Sequence, residues 1–147
     1  MIDALIEHIR GILTANQLLQ EVYTYEASDF KGDPVAVITP SSNESDYKTS
    51  NSNERIYAFS VKLFVARKDR DDTGKKADAV LRELLDSVLN DFDRNYLFTS
   101  IQNVPVGYTM INVFAVPSQW GYAGREDEYR VSEVSIRCRV YVDITNV

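Results

Sequence analysis

The residues that could carry catalytic chemistry are few and lie far apart in the sequence. His8 is the only histidine and Cys138 the only cysteine among the 147 residues. A nucleophilic cysteine needs a base in contact with it and a third group that orients the base. Here that pair would join a histidine on a helix to a cysteine among apolar strand residues, with no orienting group in view. We interpret both side chains as structural and expect the protein not to be an enzyme.

One acidic stretch partly matches a calcium-binding motif. Asp69, Asp71, Thr73 and Gly74 have the spacing of the first half of an EF-hand loop. That motif needs a bidentate glutamate six residues after the glycine, and this position is Val80. A calcium ion would therefore lack two oxygen ligands. We interpret these residues as a charged entry into a helix and predict no metal site.

Other catalytic or cofactor signatures are absent from the sequence. There is no glycine-rich phosphate loop, and no GxSxG, HExxH or CxxC motif. Asp86 and Asp93 fall about two turns apart on one predicted helix, on or near its solvated face. Acid–base catalysis requires carboxylates that are desolvated in a cleft. We therefore predict no catalytic residues and no cofactor.

The composition is that of an acidic globular domain. Apolar residues make up 44% of the chain and charged residues 26%, and the formal net charge is −6. This length predicts one domain, residues 1–147, with a real core. The negative balance argues against a protein that grips nucleic acid, because phosphate binding needs a clustered basic surface. The lone cysteine excludes an internal disulfide framework, and we expect neither a membrane span nor a secretion signal.

The element around which the chain is organised is a helix predicted for residues 74–94. Its apolar residues recur at i, i+3, i+4 and i+7, which places them on one face. Asp72 or Thr73 is a candidate cap at its start, and Arg94 suits the negative end of its dipole. The apolar set is Ala77, Val80, Leu81, Leu84, Leu85, Val88, Leu89 and Phe92.

The other patterns predict a second helix and several strands. Apolar residues at helical spacing predict a helix over 2–14, and Val- and Tyr-rich runs predict strands. We expect strands at 19–27, 35–39, 56–65, 107–116 and 134–144, the first two paired as a hairpin. Between them we predict a flexible polar loop at about 40–54, with almost no apolar residue, and a second loop at 118–129. We interpret Trp120 and Tyr122 in that second loop as core anchors in preference to interface residues.

The last strand shows the clearest alternation in the chain. Its even-numbered apolar residues, 134 to 144, predict one buried face that packs on the 74–94 helix. Arg137, Arg139 and Tyr141 fall on the opposite face. The fold class predicted is therefore α+β, a mostly antiparallel sheet packed by one long amphipathic helix plus an N-terminal helix.

These patterns together resemble a known family. The run ERIYAFSVKLFVARKDRD, then ADAVLRELLDSVLNDFDRN, and finally the strand VSIRCRVYVDI are similar to the tail terminator (tail completion) proteins of long-tailed bacteriophages. The resemblance covers most of the chain, residues 1–145, and rests on element order and texture. The 40–53 loop and the Trp120 loop have no counterpart that we can map.

The resemblance implies a role in virus assembly. Proteins of this family form a ring, typically a hexamer, that caps the head-proximal end of the tail tube and offers a docking surface to the neck or connector protein. DNA passes through the lumen without specific binding, and a negative surface suits that passage because like charges repel. The implied location is the virion tail, and the host cytoplasm during assembly.

Candidate contact residues for subunits or partners lie in three stretches. They are the polar loop, the charged turn at 67–72 and the open face of the last strand. Trp120 is also a candidate, in case it is an exposed contact residue and not a core anchor. The candidate residues are Tyr47, Lys48, Arg67, Lys68, Arg70, Trp120, Arg137, Arg139 and Tyr141.

Two other functions remain open. They are a head–tail connector or neck ring protein and a stand-alone ligand-binding domain.

Overall fold

The computed structural model describes residues 1–67 and 75–146, which contain two α-helices and one five-stranded sheet. The α+β class predicted from the sequence is confirmed. None of the helices in the described ranges is long and apolar enough to cross a bilayer. In chain order the elements are α1 (Ile2–Thr14), β1 (Glu21–Tyr23), β2 (Val35–Thr49), β3 (Ser52–Ala66), α2 (Lys75–Arg94), β4 (Tyr108–Ala123), a 3₁₀ turn (Arg125–Asp127) and β5 (Tyr129–Asp143).

The sheet has the strand order β1-β2-β3-β5-β4. β1 runs parallel to β2, and every other neighbouring pair is antiparallel. β5 lies between β3 and β4, and its ladder with β3 extends from Ser52↔Asp143 to Ala66↔Tyr129. This confirms the expectation that the alternating last strand is a long antiparallel strand inside the sheet.

The core lies on one side of the sheet, where both helices pack. Alternate residues of β3 and β5 point to that side, because successive side chains of a strand face opposite ways. The predicted buried set of β5 is confirmed from residue 134 to residue 142, and Ile144 is partly buried just beyond the strand. α1 contributes Leu5, Ile9 and Leu13, and α2 contributes Ala77, Leu81, Leu84, Leu85, Val88 and Phe92.

A polar contact joins the two helices beside this core. α1 ends at Thr14, and Asn16 follows with only 7% of its surface exposed. Its Nδ2 donates to Ser87 Oγ at 2.9 Å and to Asp91 Oδ2 at 2.8 Å, both on α2. Its Oδ1 accepts the backbone N–H of Leu18 at 2.9 Å, an Asx-type turn that redirects the chain toward β1.

A smaller apolar cluster covers part of the other side of the sheet. Tyr23, Val35 and Val37 form its buried part, with Phe30 and Phe64 packed against them. Phe30 belongs to the segment between β1 and β2, which crosses over this side of the sheet. Tyr23 Oη accepts the backbone N–H of Lys31 at 2.9 Å and helps to hold the crossing segment in place.

The predicted hairpin of strands 19–27 and 35–39 is wrong. β1 is three residues long and pairs with β2 in parallel, from Glu21↔Val35 to Tyr23↔Val37. Parallel neighbours require a crossover connection and cannot be joined by a tight turn. The turn-forming residues from 28 to 34 belong to that crossover, which Phe30 anchors on the sheet.

The polar loop predicted at 40–54 is a β-hairpin in the structure. β2 continues to Thr49, β3 begins at Ser52, and the two strands remain paired through Tyr47↔Asn53. The stretch has almost no apolar residue and therefore buries little apolar surface of its own. Its backbone groups are instead satisfied by β3, and a half-solvated antiparallel strand accepts polar side chains.

The loop predicted at 118–129 is also mostly strand. β4 extends to Ala123 and β5 begins at Tyr129, so only a short turn remains between them. Trp120 pairs with Ser132 and Tyr122 with Arg130 across the two strands. The core interpretation of both aromatic residues is wrong, since Trp120 is 44% exposed and Tyr122 is 55% exposed.

Candidate functional site

The side of the sheet opposite the helices, here called the open face, carries large exposed apolar residues. Phe114 of β4 lies beside Arg137 of β5, which pairs in turn with Ala58 of β3. Phe114 is 50% exposed and Val116 46% exposed, although they are neighbours on one strand face. Exposed apolar residues that form a contiguous patch mark interaction sites more often than scattered ones do.

The three predicted contact residues of β5 do lie on this open face. Arg137 is exposed and forms no ion pair with any residue in the described ranges. Arg139 is held by its own chain, because its guanidinium pairs with the Glu54 carboxylate of β3 and its Nε lies 2.7 Å from Glu54 Oε1. Tyr141 is 41% exposed beside Glu54. Of the two arginines, Arg137 is therefore the one left free to meet a partner's acid.

The predicted contact residues of the polar stretch lie at the end of the β2–β3 hairpin. Tyr47 is 65% exposed there, while the side chain of Lys48 lies outside the described part. The turn is held by Thr49 Oγ1 and Ser52 Oγ, which are 2.9 Å apart. Asn51 O also accepts the backbone N–H of Ile144 at 3.1 Å. Tyr47 is thus an exposed ring presented on an ordered turn.

The other candidates belong to an arginine–aromatic stack at the opposite end of the sheet. The Arg67 guanidinium lies 5.2 Å from the ring centre of Tyr122, and Arg130 lies 4.6 Å from the same ring. Arg130 also lies 5.4 Å from the Trp120 ring, and its Nε donates to Asp78 Oδ1 of α2 at 2.9 Å. Such cation–π contacts stabilise by about 0.5–2 kcal/mol each.

Only part of this stack was predicted from the sequence. Arg67 and Trp120 were candidate contact residues, but Arg130 and Asp78 were not. Because these two residues are 52 positions apart, no local pattern indicates that they meet. The predicted contacts Lys68 and Arg70 lie outside the described residues, as do the acidic residues of the partial calcium motif. The one signal available in the sequence for Arg130 was its position shortly after two aromatic residues at alternate positions, Trp120 and Tyr122.

Two edges of the sheet leave backbone groups without strand partners. β4 has β5 on one side only, and on its outer side Val113 N–H donates to Tyr96 O at 2.6 Å. β1 covers β2 only from Val35 to Val37, so the rest of β2 forms the second edge. Unpaired strand edges are templates for pairing with another chain.

The two residues that could have formed a nucleophile–base pair serve the packing. The His8 ring packs edge-on against Phe98 with 4.4 Å between centres, and burial lowers the pKa of His8. Burial raises the pKa of the Cys138 thiol to about 12, which keeps it protonated. No group of three histidine, cysteine or carboxylate residues in the described ranges could hold a metal ion.

The comparisons with known proteins bear on the fold. No protein-family model matches the chain, and no curated protein matches it. Among solved structures, a chain of the "Virion of native gene transfer agent (GTA) particle" has a TM-score of 0.56 to this chain at 12% sequence identity. The match covers 95% of this chain and 96% of that chain. The two chains therefore share a fold along nearly their whole lengths.

Proposed function

We propose that this chain is a structural subunit of a phage-like virion, and more narrowly a subunit of the ring that closes the head-proximal end of a tail tube. The observation that carries the proposal is the fold it shares, over 95% of its length, with a chain of a gene transfer agent virion particle. The narrower role rests on the sequence resemblance to tail terminator proteins and on the surfaces described above.

The exposed surfaces suit a subunit that meets several neighbours at once. A closed ring needs two different patches on each subunit, because its contacts are head-to-tail. Phe114 and Val116 lie on β4 at one edge of the sheet, whereas Tyr47 lies on β2, toward the other edge. Such separate patches support a homo-oligomeric ring, a hexamer by the resemblance, that also contacts a tube on one side and a neck protein on the other.

The mechanism we propose is geometric and requires no catalysis. One side of the ring matches the last layer of tail tube protein, and the other side offers no tube-like surface, so growth ends. The free strand edges provide backbone donors and acceptors for the contact with the tube. The net charge of −6 suits a lumen through which DNA slides without specific binding.

A head–tail connector or neck ring protein is the alternative that the same fold likeness supports. Connectors and terminators differ in what they bind, since a terminator recognises the end of a tube and a connector recognises a filled head. Binding to purified tail tubes, compared with binding to DNA-filled heads that lack tails, separates the two.

The first test is negative-stain microscopy with sedimentation over a concentration series. We expect rings with a central hole, alone or on the ends of added tail tubes. Phe114→Asp should lower the ring fraction at least about tenfold, because a central apolar contact dominates a protein interface. Val106→Asp is the matched control, since Val106 is 78% exposed and lies outside the sheet, on the connector between α2 and β4.

One outcome contradicts the proposed role, and a second contradicts only the interface assigned to the open face. A protein that stays monomeric, binds no tube and leaves tube growth unchanged is not a terminator. If Phe114→Asp forms rings as well as Val106→Asp does, the open face is not part of the interface between subunits. The proposed assembly role would be unaffected by that result.

A further inference from the structure

A groove with an aromatic floor crosses one end of the open face, and we call it the aromatic groove. Its deeper part is a cavity of about 420 Å³ between the crossover segment 26–30, strands β2 and β3, and the start of β5. A shallower part of about 210 Å³ continues along β4 residues 119–123. The two parts share Lys62, Phe64 and Ala123, so they form one elongated depression.

The floor of the aromatic groove is formed by aromatic rings that pack on one another. Phe30 lies 4.9 Å from Phe64 and 5.3 Å from Tyr129, measured between ring centres. Phe64 and Tyr129 meet edge to face at 6.0 Å, and Val37 lies beside them. These ring–ring contacts are made within the chain itself, so the floor needs no ligand to form it.

The rim of the aromatic groove is acidic. Glu26, Asp29 and Glu128 line the deeper part, and none of them forms an ion pair with a residue in ranges 1–67 and 75–146. Lys62 is the one cation among the described residues that line it. Burial raises the pKa of Tyr129 on the floor. The negative charges of Glu128, Asp33 and Asp29 raise this pKa further.

We propose that the aromatic groove binds an extended segment of a partner protein that carries an arginine or lysine beside a large apolar side chain. The apolar side chain and the stem of the cationic one lie on the rings, and the cationic head meets the carboxylates of the rim. Charge complementarity across a contact determines which partner is accepted.

The shape of the groove favours a protein segment over a small cation. A compact ligand needs only the deeper cavity, whereas the depression continues along β4 toward the unpaired edge of the sheet. There an extended chain finds backbone donors and acceptors as well as a floor. This proposal goes beyond the tube-capping function and does not require the ring, because it concerns a single subunit.

Isothermal titration calorimetry provides the readout, because the Trp120 ring stacks on Arg130 on the helix side of the sheet, where Arg130 also donates to Asp78 of α2. The full chain is titrated with acetyl-Leu-Arg-Val-Arg-amide while the heat of binding is followed. The acidic counterpart, acetyl-Leu-Glu-Val-Glu-amide, and butylguanidinium alone are the comparison ligands. We expect a saturable change with the cationic peptide only, and a weaker affinity at high salt.

Two sets of variants locate the binding. Glu26→Gln combined with Asp29→Asn should weaken peptide binding about three- to tenfold, the range for two partly exposed ion pairs. Lys62→Gln should tighten it about two- to threefold by removing the opposing charge. The control, Glu83→Gln with Asp86→Asn, removes two exposed charges of α2 outside the groove and should leave the affinity unchanged.

Four outcomes overturn the proposal. They are the absence of a saturable response, equal binding of the acidic peptide, a groove variant that behaves like the α2 control, and butylguanidinium binding as tightly as the peptide. The last result identifies a small-cation site. None of these measurements requires assembly, so failure here is distinct from failure to form rings or to bind tubes.

Discussion

Asn16→Ala should loosen the contact between α1 and α2 while leaving the apolar core filled. The lost side chain makes two neutral hydrogen bonds, with Ser87 and with the Leu18 N–H, and one to the Asp91 carboxylate. Neutral bonds contribute about 0.5–1.5 kcal/mol each, and a bond to a charged group about 1.5–3 kcal/mol. Asp91 keeps Arg94 at 3.3 Å and some exposure to water, which favours the lower values. We expect the free energy of unfolding to fall by about 2.5–4 kcal/mol.

Urea denaturation followed by circular dichroism measures this change. The midpoint should shift at a constant slope, because the variant alters stability and not the surface exposed on unfolding. Asn90→Ala is the matched control, since Asn90 is an exposed residue of α2 whose side chain makes no hydrogen bond to a residue in the described ranges. It should stay within about 0.5 kcal/mol of the parent protein. If Asn16→Ala matches that control, the contact carries no stability and the reasoning is refuted.

A second substitution at the same position tests the electrostatic part. Asn16→Asp keeps an acceptor for Leu18 but loses both donated bonds, and it places a carboxylate against Asp91. The repulsion raises the folded-state pKa of the introduced carboxyl above its ordinary value. The added destabilisation is therefore full near pH 7 and declines as the pH falls through that raised pKa. A stability difference from the parent protein that does not change with pH would contradict this account.

Three further predictions concern single side chains. Arg130→Met should cost about 1–3 kcal/mol, because a stacked guanidinium is lost with its 2.9 Å pair to Asp78; Arg82→Met breaks an exposed 3.7 Å pair to the same Asp78 and a long, exposed 3.4 Å hydrogen bond to its backbone carbonyl, and should cost under about 0.5 kcal/mol in the same urea assay. The pKa of His8 is lower in the folded than in the unfolded chain, so the unfolded chain binds more protons and the free energy of unfolding should fall as the pH drops below 6.5. In His8→Gln the free energies of unfolding at pH 7.5 and at pH 5 should differ less than they do in the parent protein. With its pKa near 12, Cys138 should react with iodoacetamide at pH 8 about a thousandfold more slowly in the native protein than in concentrated urea, and equal rates would show that the thiol is accessible.

The sequence predicted best where side-chain periodicity and burial coincide. The alternation in β5 from Val134 to Val142 is read directly as one buried face, and all of its apolar members are buried. The helical spacing of 2–14 likewise corresponds to α1. In both segments the apolar residues recur with the period of the secondary structure, and the side they share faces the core. The local pattern and the tertiary packing therefore agree.

The sequence predicted least where a neighbour, and not the segment itself, determines the structure. The polar stretch from residue 40 lacks apolar residues, yet β3 pairs with it and makes it a strand. Trp120 was interpreted as a core anchor in preference to an interface residue, whereas its ring is 44% exposed and stacks on an arginine of the next strand. Both partners are near in sequence, since Ser45 pairs with Arg55 and Arg130 follows Trp120 by ten positions. The polarity of a segment, however, does not state which backbone it pairs with.

The position of β5 between β3 and β4 has a consequence for the order of events in the cell. Both flanking strands precede β5 in the chain, so they leave the ribosome with their inner edges unpaired. A nascent chain interrupted before residue 129 also lacks Arg137 and Tyr141, which belong to the open face. Only a subunit whose translation has passed β5 can therefore present that face to a neighbour. An assembly that uses this surface therefore requires that β5 has been synthesised and has entered the sheet between β3 and β4.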